Sequence, residues 1–341
     1  MSEVSMVGLD LAKHVFQVHG ADALGRPVLR KRLRRGQVLE FFSQQPRCMV
    51  AMEACSSAHF WGRELARLGH EVRLIPPAYV KPFVKRQKND MADAEAICEA
   101  AQRPTMRFVA LKSEETQGAA AVFRVRELLI RQRTQAINAL RGHMAEFGEV
   151  VPQGAVNARR LTALIEAQSS ALPAAMQASL SVLVSVLLQL EEKIAELDAE
   201  IARRARENET ARRLMKIPGI GPLIATALAT LAPPPEMFRR GRDFAAWVGL
   251  TPRQHSTGGK QRLGATTRMG ERSLRRLLII GANSVVCWGA RKGGAAGTWL
   301  AGMLARKPAM LVRVALANKM ARIVWALMTK GGVYRAPAAA V

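Results

Sequence analysis

Cysteine is scarce in this chain of 341 residues, and acidic residues are few. Cys48, Cys55, Cys98 and Cys287 lie far apart without a CxxC spacing, which argues against zinc ligation and against a disulfide framework. Their apolar surroundings predict buried, reduced thiols. No run of about 18 uninterrupted apolar residues occurs, so no membrane-spanning helix is expected. Met1-Ser2-Glu3-Val4 lacks the charged and apolar regions of a secretory signal. These absences together predict a cytoplasmic protein with no membrane partner.

What the chain has in excess is positive charge. Lysine and arginine number 51 against 27 acids, a net charge of +24. Such an imbalance finds its use against a polyanion, and nucleic acid is the first candidate. Hydrophobic residues make up 49% of the chain, enough to build the cores of two or three domains.

Strand-like segments crowd the N-terminal third. Met6 to Asp10, Val15 to Gly20 and Val28 to Arg35 are joined by short turns, which predicts an antiparallel meander. A helix through Val38 to Phe42, a strand from Cys48 to Met52, a helix around Trp61 to Leu68 and a strand from Glu71 to Ile75 follow. Three strands and then alternating helix and strand is the order of an RNase H-like α/β fold. From Ser113, a predicted N-cap, a helical pattern runs to Phe147 and breaks at Val151 to Gly154. Leu183, Leu187, Leu190, Ile194, Leu197 and Ile201 alternate steps of four and three, a coiled-coil seam that serves either dimerisation or packing on the preceding helix. Beyond Ala211 the pattern is mainly helical, with amphipathic segments at Ser273 to Ser284 and Ala309 to Met328. The expected division is an α/β catalytic domain at 1–108, a helical, coiled-coil region at 109–210, a mainly helical domain at 211–335, and a disordered tail at 336–341.

Four acids stand out in this basic background. Asp10 ends the first strand and Glu53 follows the fourth, so their side chains can approach, and Asp90 and Asp93 share a helix face at i, i+3. Carboxylates converging in this way can hold two Mg²⁺ ions about 4 Å apart against a phosphate. Lys81, Lys85, Arg86 and Lys88 flank them as phosphate contacts or as a solvated helix face. Gly8-Leu9-Asp10 also resembles the first phosphate segment of the sugar-kinase and actin ATPases. Their second glycine-rich phosphate loop has no counterpart here.

Two segments of the C-terminal region carry further chemistry. Pro218-Gly219-Ile220-Gly221 before a helix offers backbone N–H groups to a phosphate, through a helix-hairpin-helix-like turn, or is a plain helix–helix turn. In the loop from Thr251 to Gly264, Ser256 and Thr257 precede Gly258-Gly259 among Arg253, Lys260, Arg262 and, just beyond, Arg268. A hydroxyl there could attack phosphorus while the cations stabilise the developing charge. His255 is adjacent, but neighbours in an extended loop point apart, which suits a backbone or phosphate contact better than a general base.

Val7-Gly8-Leu9-Asp10-Leu11-Ala12-Lys13, Met52-Glu53-Ala54, Lys88-Asn89-Asp90-Met91-Ala92-Asp93-Ala94, Ile217 to Gly221, Phe244 to Arg253 and Ser256 to Lys260 occur in that order. Together they resemble the DEDD transposases of the insertion-sequence-110 family, 1111 subgroup, which are RNA-guided serine recombinases using a bridge RNA or seekRNA. The resemblance spans almost the whole chain. It implies a RuvC-like N-terminal domain, a coiled-coil middle and a C-terminal transposase domain with a nucleophilic serine. Asp10, Glu53, Asp90 and Asp93 would bind the metal. Thr257 occupies the position just before the glycine and Ser256 the one before it; Ser256, a primary and less crowded hydroxyl, is the chosen nucleophile. Donor and target DNA, a noncoding guide RNA and a homo-oligomer, dimer to tetramer, are the implied partners, and the expected location is the nucleoid.

The leading expectation is transposition by Mg²⁺-assisted serine transesterification, with a site composed between protomers. The alternatives are a RuvC-like endonuclease without a covalent intermediate, in which the acids activate water, and a non-catalytic nucleic-acid binder from a decayed element. With six to ten phosphate contacts, affinity should fall by about 10³ to 10⁵ between 50 and 200 mM salt.

Overall fold

The computed structural model describes residues 3–85, 89–154, 157–168, 172–291 and 298–335. The chain divides into two compact units, Met1–Gln117 and Gly118–Val341.

The first unit is built on a five-stranded sheet. β1 (Met6–Asp10), β2 (Val15–Ala21) and β3 (Pro27–Arg34) form an antiparallel meander, while β4 (Met49–Glu53) and β5 (Glu71–Ile75) run parallel to β1. The spatial order β3-β2-β1-β4-β5 makes β1 central. Alternation along the strands divides the side chains between two cores. Val7, Leu9, Phe16, Val18, Val50 and Met52 pack with α1 (Val38–Ser43) and α2 (Ala58–Arg67) on one face. On the other, Ala51 and Ile75 meet α3 (Pro77–Val80) and α4 (Asp90–Ala101), whose Ala96, Ile97, Ala100 and Ala101 are buried. Gly8, on that second face, lets α4 lie directly on β1.

α5 (Glu114–Glu146) spans the division between the units. In the second unit it lies antiparallel to α7 (Ala174–Glu207). Phe123 shares a core with Ile201, and Ile137, Leu140 and Met144 share one with Leu180 and Leu187. Arg126 fixes the pair by donating to both carboxylate oxygens of Asp198 at 2.5 and 3.1 Å. Leu180, Leu187, Ile194 and Ile201 recur every seven residues and are all buried, so this side of the seam is used within the chain. Among the described residues α7 alone is long and apolar enough to cross a membrane, with a mean hydropathy of 1.4 over 18 residues. The uninterrupted apolar run that the sequence analysis considered is a stricter criterion than this average, and α7 contains none. α6 (Ala158–Gln168), between them, contributes Leu161 and Ile165 to the same core.

A helical bundle completes the second unit. α8 (Glu209–Leu214), α9 (Pro222–Leu231), α10 (Gly241–Trp247), α11 (Arg272–Arg291) and α13 (Ala309–Lys330) pool Leu214, Leu228, Phe244, Leu278 and Val324 in one core, and α12 (Trp299–Arg306) precedes α13. Between α10 and α11 stands a β-hairpin, β6 (Pro252–Gln254) and β7 (Leu263–Thr266). The expectation of four buried thiols is corrected: Cys48 and Cys98 are buried, whereas Cys55 and Cys287 are exposed on helix and loop surfaces. The tail 336–341 lies outside the described residues.

Candidate active site

Asp10 is the last residue of β1, on the face that carries α4. α4 starts at Asp90. Asn89 caps it, its side-chain oxygen accepting the Met91 N–H at 3.0 Å, so Asp90 and Asp93 occupy the first helical turn. The partial positive charge of that helix end favours carboxylates there. One carboxylate oxygen from each of Asp10, Asp90 and Asp93 lies within 4.8 Å of the others. Glu53 comes from the end of β4, whose register with β1 sets Met52 beside Leu9 and so Glu53 beside Asp10. It stands outside the close group of three but within its field.

The electrostatics show what this convergence costs. Burial first, then the charges of Asp93, Asp90 and Glu53, push the Asp10 carboxyl up to about 6. Glu53 is raised as well, by burial and then by Asp93. Nothing cationic among the described residues forms an ion pair with any of the four. Three oxygens at this spacing, poised at a strand end and a helix start, suit a hard divalent cation, which would relieve the repulsion.

The flanking cations are less available than the sequence suggests. Lys85 is committed to Glu95, one turn into α4, and Arg30 reaches the same carboxylate at 3.7 Å. Lys81 ends α3 and is exposed. Arg86 and Lys88 lie outside the described residues.

The serine segment is a hairpin rather than the loop its sequence suggests. Thr257 and Lys260 exchange backbone hydrogen bonds at 3.0 and 3.3 Å around Gly258 and Gly259, whose φ values are +54° and +75°. Two successive left-handed residues make the tight turn that suits twisted antiparallel strands, and glycine supplies them without strain. Ser256 and Thr257 are therefore exposed at the tip of a ribbon, with Ser256 Oγ accepting the Arg262 N–H at 3.2 Å. His255 donates its backbone N–H to the Arg262 carbonyl at 2.8 Å. Arg253, Lys260, Arg262 and Arg268 are all exposed around this tip or at its base, and Arg268 adopts φ +54°.

Sequence reading missed the residue that anchors the hairpin. Arg275, on α11, donates to the Met269 carbonyl at 2.6 Å and to the Val248 carbonyl at 3.0 Å, holding both ends of the segment. Burial, then Arg268 and Arg272, lower its pKa. An arginine on a basic helix gives no signal of such a role; only the fold brings the two carbonyls to it.

Gly219 and Gly221 have different uses. Gly219 has φ +82°, and a Cβ on it would lie 2.5 Å from the Gly281 carbonyl oxygen of α11; a Cβ on Gly281 would meet the Gly219 oxygen at 2.3 Å. The first glycine thus permits close backbone packing. Gly221 is the exposed N-cap of α9, with open space around it, and leaves the first N–H groups of that helix accessible.

Comparison with known proteins bears on what such a chain does. Residues 7–148 match the family model for DEDD transposases of the IS110 type, and residues 211–294 match the model described as "Transposase IS116/IS110/IS902 family". A "Probable family 20 transposase" of Pseudomonas aeruginosa is 50% identical over 97% of this chain and 99% of its own length. The "Transposase for insertion sequence element IS1328" of Yersinia enterocolitica is 41% identical, over 98% and 99%. The corresponding protein of element IS1111A from Coxiella burnetii is 36% identical, over 98% and 92%.

Proposed function

The chain belongs to the IS110 family of transposases, and from that premise we propose that it cuts and rejoins DNA through a covalent serine link. The observation that carries this reading is the meeting of Asp10, Asp90 and Asp93 within 4.8 Å in a chain of net charge +24. The strand order β3-β2-β1-β4-β5, with the first acid on the central strand, supports an RNase H-like, RuvC-like domain. Its proposed extent is 1–108, followed by a helical region at 109–210 and the transposase domain at 211–335.

Asp10, Asp90 and Asp93, joined by Glu53, would hold Mg²⁺, one ion or two. When bound, it supplies charge neutralisation at a phosphate and lowers the pKa of an attached hydroxyl. Ser256 Oγ attacks the phosphodiester; as the Oγ–P bond forms, one P–O bond of the DNA breaks and the departing strand end takes up a proton. Attack by a new strand hydroxyl on the phosphoserine reverses these bonds and releases the serine. Bond energy is conserved, so no nucleotide cofactor is needed. Arg253, Lys260 and Arg262 hold the phosphates around the tip, and the free N–H groups after Gly221 add a contact that ignores base identity. Pairing to a noncoding RNA would then supply sequence choice. Acids and serine carried by different protomers of a dimer or tetramer would compose one site.

The test is to trap protein joined to DNA under denaturing conditions. The parent and Thr257→Ala should yield the adduct and Ser256→Ala should not. If Thr257→Ala alone abolishes it, the nucleophile is Thr257. Metal-dependent cutting without any adduct would return the reading of an endonuclease that activates water.

A further inference from the structure

The strand registers set a polar row leading away from the acids. Asp10 pairs with Gln17 on β2, and Gln17 pairs with Arg32 on β3. Cross-strand partners point to the same face, so Asp10, Gln17 and Arg32 stand side by side on the face that α4 partly covers. Strands lie about 4.8 Å apart, so the Arg32 backbone is roughly 10 Å from that of Asp10, and its long side chain can reach back along the row. Here the sheet surface opens as a groove lined by Gln17, Arg30, Arg32, Asn89 and Met91.

The neighbouring cations on β3 are already engaged. Arg30 reaches Glu95, and Lys31, on the opposite face, lies 4.9 Å from the centre of the Phe41 ring. Arg32 forms no ion pair, and the half-buried Gln17 side chain no hydrogen bond, with any described residue. A merely protective charge on an edge strand needs no particular register. This one is aligned with the carboxylate that leads the site, with an unpartnered amide between them.

We propose that Arg32 and Gln17 together bind a backbone phosphate of the DNA strand being cut, one or two nucleotides from the scissile bond. Arg32 supplies the charge and the Gln17 amide a second N–H. The assignment rests on the acids being the cutting site, and it makes both residues positioning residues for that reaction.

The experiment measures binding of a forked DNA to the full chain in Ca²⁺ across a salt series, for the parent, Arg32→Ala, Arg32→Lys, Gln17→Ala and the double variant. Arg32→Ala should weaken binding about 5- to 10-fold and reduce the salt slope by about 1, the signature of one lost phosphate contact, with Arg32→Lys restoring the slope. Sharing one phosphate makes the double variant's loss differ from the sum of the singles. Unchanged affinity or slope in a folded Arg32→Ala overturns the proposal. So does strict additivity, and so does a loss seen only with an RNA strand of the same sequence. If Arg32→Ala does not fold, Arg32→Gln, which keeps the length of the side chain and removes its charge, takes its place, and an unchanged slope in it overturns the proposal. Cutting of the same fork by the parent in Mg²⁺ is scored separately: its failure sinks the assignment of the acids, whereas the salt slopes still report on Arg32.

Discussion

Gly8 and Ala94 touch backbone to backbone: a Cβ on Gly8 would lie 2.2 Å from the Ala94 carbonyl oxygen and 2.6 Å from the Cys98 nitrogen. Because nothing intervenes, α4 rests on β1, and the first turn of the helix delivers Asp90 and Asp93 to Asp10. Gly8→Ala should force the helix off the strand. Overpacking of this kind costs about 1–3 kcal/mol, and the shift should also part the carboxylates. Denaturant unfolding should show the loss of stability, and the rise in Tm on adding Mg²⁺ should shrink or vanish. Parent-like Mg²⁺ stabilisation would mean that the close contact does not position the acids.

The Asp10 shift has a sign that can be checked without DNA. Its carboxyl is raised from 3.8 to about 6, so between those values the folded chain holds a proton that the unfolded chain has lost. Stability of the metal-free protein therefore falls as pH rises through this window, and the penalty is complete above it. Asp10→Asn should remove that slope and melt higher than the parent in EDTA at pH 8, while losing DNA cutting. A variant that melts lower there would contradict the repulsion argument.

At the hairpin tip, Gly258→Ala and Gly259→Ala place side chains at φ +54° and +75°. Each should strain the turn by about 1 kcal/mol or more. The hairpin is exposed, so the global Tm should barely move, whereas the yield of serine–DNA adduct should drop about tenfold or more for a misaligned nucleophile. Equal adduct yield would show that the tip need not be rigid.

α7 leaves Val182 and Val186 exposed on the side away from its intramolecular seam, at 64% and 41%. If this face joins protomers, Val182→Glu with Val186→Glu should lower the oligomeric state in sedimentation velocity and leave helix content unchanged. An unaltered sedimentation coefficient would move the interface elsewhere.

The sheet was legible because short turns separate runs with a two-residue period. Met6–Asp10 and Glu71–Ile75 are found where the pattern places them. The DxxD spacing likewise pointed to one shared helix face, since an i, i+3 pair has one geometry on a helix, whereas the start of α4 at Asp90 is seen only in the structure. Other features left little trace. β6 is Pro252-Arg253-Gln254, exposed throughout, so no alternation marks it as a strand, and only the pairing around Gly258 and Gly259 defines it. α6, α10 and α12 are short and were lost among Arg, Gly and Pro. The place of Glu53 beside rather than inside the close trio depends on side-chain reach, which strand order does not specify. The pairing of Lys85 with Glu95, ten positions on, has no signature in the sequence.

Gly219 and Gly281 have a consequence for how this chain can diverge. A bulky residue at one position is usually accommodated by trimming the residue it strikes, but here each already has nothing to trim, and what it strikes is main chain. Compensation within the pair is therefore closed off. A saturation library covering both sites should return glycine at each independently, with no covarying pairs among the survivors.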